Sequence, residues 1–119
     1  MITRTIREGN TLIVLSRVKG VDFEDIDQSS LTNLAWKLTR QKDGSSVVAL
    51  VNLVIADQVY NTIQSVVLPD GTFYYNFRHV INGTNFTQPG TTYVASYKFT
   101  DLDGFQYWED IEIFIEADS

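Results

Sequence analysis

Apolar and polar residues alternate with a period of two along most of the chain, which is the pattern of half-buried β-strands. In segment 91–100, tyrosine, alanine or phenylalanine occupies four alternate positions, and in 107–116 three isoleucines alternate with acidic residues. Segments 12–18 and 47–55 are apolar on both faces, which predicts strands at the centre of a sheet or strands that a partner covers. The strands predicted in this way lie at 12–18, 34–38, 47–55, 64–68, 72–80, 91–100 and 107–116.

Turn-forming residues separate these strands and indicate hairpins. Asp-Gly pairs occur at 43–44, 70–71 and 103–104, and Asp-Gly is a strong hairpin signal. Only segments 23–34 and 56–62 leave room for a helical turn. About seven short strands without strand–helix alternation predict an all-β antiparallel sandwich.

The predicted sandwich is a single domain. Its 119 residues fit one hydrophobic core and leave little room for a second domain. A jelly roll is the alternative all-β architecture. For residues 1–8 the alternative to a place in the sandwich is an extended N-terminal arm.

A Pro-Gly pair followed by two threonines and a tyrosine leads into the predicted strand at 91–100. Pro89, Gly90 and Tyr93 resemble the E–F corner of immunoglobulin-like and fibronectin type III sandwiches, where the tyrosine hydroxyl bonds to backbone a few residues upstream. The resemblance implies that Tyr93 closes this corner and that Trp36, on an early strand, lies in the core. The expected fold is therefore an Ig-like sandwich.

Four turn motifs follow one another in a recognisable order. A Gly-x-Thr start at 9–12, an Asp-rich loop at 22–32, a Lys-Asp-Gly hairpin at 42–44 and a Pro-Gly-Thr-x-Tyr strand at 89–93 are all present. This order resembles the small Ig-like modules of tailed-phage virion proteins. The resemblance implies a structural virion protein, such as a capsid decoration or cement protein or a tail or baseplate subunit. It would contact other virion proteins, without catalysis, as a homo-oligomer or bound to a lattice.

Charge argues against two classes of partner. The formal net charge is −6; residues 1–42 carry seven basic and five acidic side chains, whereas 43–119 carry two basic and ten acidic ones. An acidic chain without a basic stripe is poorly suited to nucleic acid or to an anionic membrane surface. The uneven distribution instead favours head-to-tail self-association. No signal-peptide pattern is present, which predicts synthesis in the host cytoplasm. The resemblance to virion modules implies a final place in the virion.

Candidate chemistry is sparse. A nucleophile–histidine pair would have to use His79, the only histidine, which has no Gly-x-Ser-x-Gly motif nearby, so we expect a structural or surface histidine. Because the chain contains no cysteine, a thiolate metal site is impossible. Acidic runs at 22–27 and 101–103 offer oxygen ligands for Ca²⁺, but neither follows the EF-hand order. We expect solvated loop acids there, with a weak Ca²⁺ site as the alternative. The sequence predicts no enzyme, no cofactor and no metal.

Three aromatic residues are expected to point away from the core, because they alternate with the residues predicted to face it. Trp108 and Phe114 alternate with the isoleucines of 107–116, and Tyr74 lies between Phe73 and Tyr75. Tryptophan and tyrosine are enriched at the energetic centres of protein interfaces. We therefore predict an interface that contains Trp108, Phe114 and Tyr74. A carbohydrate-binding or adhesion surface is the alternative, because it also uses exposed aromatic rings.

Overall fold

Eight β-strands form the framework of residues 2–117, which are the residues that the computed structural model describes. The strands are β1 (Ile2–Arg7), β2 (Leu12–Ser16), β3 (Leu31–Arg40), β4 (Ser46–Asn52), β5 (Val59–Leu68), β6 (Gly71–Ile81), β7 (Thr92–Asp101) and β8 (Gln106–Glu116). A single turn of helix, α1 (Ile55–Gln58), links β4 to β5. Two 3₁₀ turns lie at Gln28–Ser30 and Gly83–Asn85.

The strands form two packed sheets. The larger has the order β1-β8-β7-β3-β4 and the smaller the order β2-β6-β5. Neighbouring strands are antiparallel, except that β1 runs parallel to β8. The sequences of neighbours β2-β6-β5 and β3-β7-β8 are the B-E-D and C-F-G orders of an Ig-like sandwich. The predicted all-β sandwich is confirmed. Its strand order is the Ig-like one and not that of a jelly roll, the alternative architecture.

Strand β1 is the element that the periodicity does not predict. It pairs with β8 from Ile2 opposite Ile111 to Arg7 opposite Glu116, and Ile6 packs against the core. An N-terminal arm outside the sandwich is therefore wrong for residues 2–7, while residue 1 lies outside the described residues. Threonines and arginines fill most of β1, so its alternation is too polar to recognise without its partner strand.

Alternate residues of β3, β6, β7 and β8 fill the space between the sheets. Trp36 is buried and stacks near Tyr97 with ring centroids 6.1 Å apart. Phe77 meets the ring of Tyr97 edge-on at 4.9 Å and that of Phe99 at 5.6 Å. Each such pair adds about 0.5–1.5 kcal/mol beyond burial of its area. Trp36 is thus the core tryptophan that the Ig-like resemblance implies.

The predicted hydrogen bond of Tyr93 is wrong. Its ring is fully buried and meets Phe86 edge-on at 5.4 Å, but within residues 2–117 its hydroxyl has no hydrogen-bond partner. The corner is held by the main chain instead. Gly90 adopts a φ of 77°, its N–H donates to the Ile115 carbonyl at 2.8 Å, and the Ile115 N–H donates to Thr91 at 3.1 Å. Because these backbone hydrogen bonds to β8 already hold the corner, the Tyr93 hydroxyl is not needed to close it.

Candidate interaction surfaces

The outer face of the larger sheet carries two of the predicted interface residues. Trp108 is 45% exposed and Phe114 is 40% exposed, both on β8. They are six positions apart along the strand, a distance of roughly 20 Å, and the outward positions between them are Asp110 and Glu112. The two rings are therefore separate exposed aromatic groups, with acidic side chains between them on the same strand.

Two lysines lie over the ring of Trp108. The Nζ atom of Lys37 is 5.3 Å from the ring centroid and that of Lys98 is 5.9 Å from it. Lys98 is directly opposite Trp108 in the β7–β8 register. Cation–π contacts at exposed sites are worth about 0.5–1 kcal/mol each. The ring is thus already engaged by two cations of its own sheet.

Tyr74 lies on the other side of the molecule. It is 52% exposed on β6, opposite Ser65 and diagonal to Val67, which is 82% exposed. Because β6 belongs to the smaller sheet, its outer face points away from that of β8. The structure therefore does not bring Tyr74 together with Trp108 and Phe114, and the three residues belong to two surfaces.

One side of the sandwich carries a long stretch of chain with a single charged residue, and we call it the lateral edge. It consists of β4, the 53–58 connection and β5. Between residues 44 and 69 the only charged residue is Asp57. Strand β4 ends the larger sheet and β5 ends the smaller one, and the connection between them is only six residues long, so the end of β4 and the start of β5 lie on the same side. The far end of β5 lies elsewhere, since Val66 and Leu68 line a groove with Arg4 of β1. Predicting an interface from outward aromatic residues misses this surface, although the uncharged run is visible in the sequence.

The two acidic runs meet at one end of the sandwich, around a cleft of about 290 Å³. The 17–27 loop, which forms part of the cleft wall, is held in place by Asn76, a residue that is fully buried on the outer side of β6. Asn76 Oδ1 accepts from the Val18 N–H at 2.7 Å, and Nδ2 donates to the carbonyls of Val18 at 2.9 Å and Ile26 at 3.1 Å. This amide attaches the 17–27 loop to the sheet. The cleft is lined by Gly20, Val21, Asp22, Glu24, Asp25, Ile26, Ser30, Asp101, Leu102, Asp103 and Tyr107.

Most of the carboxylates at the cleft already have partners within the chain. Asp25 is paired with Arg17 at 2.9 Å and Lys19 at 3.5 Å, and the hydrogen bond from Arg17 lowers the pKa of Asp25 to about 2. Asp101 Oδ1 accepts the N–H groups of Asp103 and Phe105, both at 2.9 Å. These carboxylates hold turns and an ion pair. Within residues 2–117 no group of three or more acidic or histidine side chains is arranged to hold a metal ion.

Tyr107 reports the electrostatic character of this cleft. Its hydroxyl oxygen is buried and has no hydrogen-bond partner in the described part of the chain. Burial, followed by the negative charges of Asp101, Asp22 and Glu109, raises the pKa of Tyr107 to about 12. The phenol therefore stays protonated throughout the neutral range.

His79 is a core residue. It is 7% exposed, its Nδ1 atom lies 2.8 Å from the Tyr97 hydroxyl, and its ring contacts Trp36 with centroids 4.6 Å apart. Burial lowers its pKa to about 4. These contacts explain the histidine as part of the packing, in line with the sequence interpretation.

The basic residues of the first third of the sequence and the acidic residues of the last third do not lie at opposite ends of the fold. The basic strand β1 lies beside the acidic strand β8, with Arg7 in register with Glu116. Lys37 and Lys98 lie next to Trp108 on the acidic sheet. The head-to-tail contact expected from the sequence stays a prediction, and the basic strand β1 that would take part in it lies beside the acidic strand β8.

Comparisons with known proteins add no relative. No protein-family model matches the sequence, and no curated protein is significantly similar to it. Within residues 2–117 no helix is long and apolar enough to span a membrane. The functional argument therefore depends on the surfaces described above.

Proposed function

We propose that this protein is a structural component of a bacteriophage virion, acting by protein–protein contacts as a capsid decoration or cement protein or as a tail or baseplate subunit. The observation that carries the proposal is the exposure of large apolar side chains. Within residues 2–117, fifteen of them are at least 38% exposed. Exposed apolar side chains that are close together, such as Leu50, Val51 and Val54, are typical of contacts with partners.

The distribution of these side chains supports assembly rather than a single binding site. They occur on both outer faces, on the lateral edge and around the cleft. A subunit of a lattice needs contacts with several neighbours, and apolar groups on several sides meet that need. Representative exposed residues of the four regions are Trp108, Tyr74, Leu50 and Leu102.

The arrangement of reactive groups favours a role without catalysis. The histidine is buried in the core against Tyr97, and Asp25 is neutralised by two cations. A general base must reach a substrate proton by a hydrogen bond or through one water molecule. Neither group is placed to do so. The virion assignment itself comes from the order of turn motifs.

A carbohydrate-binding or adhesion module is the second candidate, because Trp108 is half-exposed on the outer face of the larger sheet. A sugar ring would stack on the face of the indole. Lys37 and Lys98 lie within about 6 Å of its centroid, so the sugar would have to displace them. This observation ranks the carbohydrate function below assembly.

Co-sedimentation with assembled particles tests the proposal. The purified full chain is mixed with particles from the phage whose genome encodes it, assembled without this protein. We expect saturable binding and, in native particles, detection of the chain by mass spectrometry at a fixed ratio to the major structural protein. Absence from purified particles together with failure to co-sediment would contradict the proposal. Quenching of tryptophan fluorescence by oligosaccharides, with no particle binding, would favour the carbohydrate function.

A further inference from the structure

We propose that a groove beside β1 and β2 binds an amphipathic anion, namely a linear apolar chain with a carboxylate at one end. This inference goes beyond the proposed function and does not depend on it. The groove has a volume of about 320 Å³, within the range of small-molecule sites. Six residues line it, too few for a stable protein interface, which buries about 800 Å² on each partner. They are five apolar residues and one cation: Ile13, Leu15, Val66, Leu68, Phe73 and Arg4.

Arg4 occupies a position on β1 that faces the space between the two sheets. It is in register with the fully buried Ile113 of β8, and Ile6, two residues later, packs against the core. Residues two apart on a strand share a face of the sheet, so the Arg4 side chain is on the inward face. Because Arg4 lines the groove and is only partly buried, its charge is accessible to a ligand there.

The charge of Arg4 is not neutralised by the chain itself. Arg4 takes part in no ion pair within residues 2–117, and its Nη1 atom donates only to the neighbouring Thr3 carbonyl at 3.3 Å. The acidic residue of β8 nearest to it, Glu112, alternates with the buried isoleucines and so lies on the opposite face of the sheet. A second cation, Arg78, is directly opposite Leu15 in the β2–β6 register. The groove is therefore suited to an anion although the whole chain is acidic.

The remaining walls of the groove are apolar. Val66 of β5 is directly opposite Phe73 of β6, and the rings of Phe73 and Tyr75 stack with centroids 6.4 Å apart. Ile13 is 48% exposed and Leu68 is 47% exposed, so a ligand can still cover apolar surface here. An apolar chain would do so, while a carboxylate at its end would accept two parallel hydrogen bonds from the arginine. The combination of walls and charge thus matches a fatty-acid-like anion.

Isothermal titration calorimetry on the full chain tests the site with hexanoate, octanoate and decanoate, each kept below the concentration at which it forms micelles. Affinity should rise by up to about fourfold for each added CH₂ group until the groove is filled. Octanol and octylammonium carry the same chain with a neutral or a cationic head. Both should bind at least about tenfold more weakly than octanoate. Equal affinity for the three head groups, or no binding of any carboxylate at millimolar concentration, would overturn the inference.

Arg4→Gln and Arg7→Gln are the matched variants, because each removes one positive charge from β1 and only Arg4 lines the groove. Arg4→Gln should weaken octanoate binding by about tenfold to a hundredfold, since it removes a charge-assisted hydrogen bond. Arg7→Gln should bind octanoate as the unmodified chain does. Equal binding by both variants would show that Arg4 only protects an outer strand from pairing, and it would overturn the inference.

Nuclear magnetic resonance locates the bound octanoate on the full chain. The amide signals that shift most should be those of residues 4, 13, 15, 66, 68 and 73. Leu68→Ala should weaken binding severalfold, whereas Val67→Ala should not, because Val67 is 82% exposed on the other face of β5 and lies outside the groove. Shifts confined to another surface, or equal effects of these two truncations, would contradict the site.

Discussion

The Tyr97 hydroxyl and the His79 Nδ1 atom share a hydrogen bond of 2.8 Å in the core, between a strand of one sheet and a strand of the other. Each residue is the polar partner of the other in a region otherwise filled by aromatic rings. Burial lowers the pKa of His79 and raises that of Tyr97. Both side chains are therefore neutral at physiological pH, and the pair links the two sheets without a charge.

This pair predicts a loss of stability in mild acid. The pKa of His79 is about 4 in the folded chain and 6.5 ordinarily, so between these values the unfolded chain binds a proton that the folded chain does not. Stability should be constant above pH 6.5 and fall as the pH decreases towards 4, by about 2 kcal/mol after allowing for residual solvent. Urea unfolding across this range measures the slope.

The control for this prediction is the double variant His79→Phe/Tyr97→Phe, which removes both polar partners. Its stability should change much less between pH 6.5 and 4. Glu109, whose pKa is raised by burial, has the opposite effect, since its protonated form is favoured in the folded chain. An unchanged slope in the double variant would show that carboxylates, not His79, cause the acid sensitivity.

Tyr93→Phe should be neutral or stabilising by up to about 1 kcal/mol, because the buried Tyr93 hydroxyl has no partner in the described part of the chain and its removal ends an unpaired burial. The matched substitution Tyr97→Phe removes a real hydrogen bond and leaves His79 unpaired, at a cost of about 1–3 kcal/mol. Urea unfolding of both variants gives the comparison. A loss above 1 kcal/mol at Tyr93 would restore the corner that the sequence predicts.

Asn76→Leu should destabilise the chain by about 3 kcal/mol or more. The substitution leaves the Val18 N–H and the Ile26 carbonyl without their buried partner, and each such group costs about 1–3 kcal/mol. The Val18 carbonyl keeps the hydrogen bond from the Ile26 N–H at 3.2 Å. Hydrogen exchange at residues 18 and 26 should increase most. Val80→Ala, on the same face of β6 but exposed, should stay within about 0.5 kcal/mol. A similar loss of stability in both variants would show that Asn76 does not hold the loop.

Ca²⁺ at millimolar concentration should shift the melting temperature by no more than about a degree. Asp25 is paired with two cations and Asp101 accepts two backbone N–H groups, so few oxygens are free for an ion that takes six to eight. A site with a Kd of about 10 µM would stabilise the fold by roughly 2.7 kcal/mol at 1 mM, a shift of several degrees. A shift of that size, lost in Asp103→Asn, would establish the Ca²⁺ alternative.

The sequence predicts those features that depend on local alternation. Strands β6, β7 and β8 were expected at 72–80, 91–100 and 107–116 and occupy nearly those residues. The helical turn expected within 56–62 is α1, which begins at Ile55. Local alternation also gives the outward orientation of a residue such as Trp108. It does not say which sheet a strand joins.

Features that depend on contacts between residues distant in the sequence cannot be predicted from local patterns. Asn76 has the alternation of a solvent-facing residue, but a loop some fifty residues earlier in the chain covers it. Tyr74 and Trp108 have the same outward pattern, yet the strand order places them on opposite faces. The lateral edge exists because β4 and β5 end different sheets and a six-residue connection holds the end of β4 near the start of β5. Each of these facts follows from long-range topology, which no local pattern encodes.

Trp108→Ala tests whether the outer face of the larger sheet is an assembly surface. The isolated chain should stay folded, because Trp108 is half-exposed and loses only two cation–π contacts, about 1–2 kcal/mol in total. Particle binding should weaken by about 2 kcal/mol or more, roughly thirtyfold, as for a central aromatic anchor. Trp36→Ala is the opposite case, since removing a core tryptophan costs about 3–5 kcal/mol of stability. Melting and co-sedimentation measured together on both variants separate folding from binding, and a Trp108→Ala chain that binds particles normally would move the contact to the lateral edge or to the face that carries Tyr74.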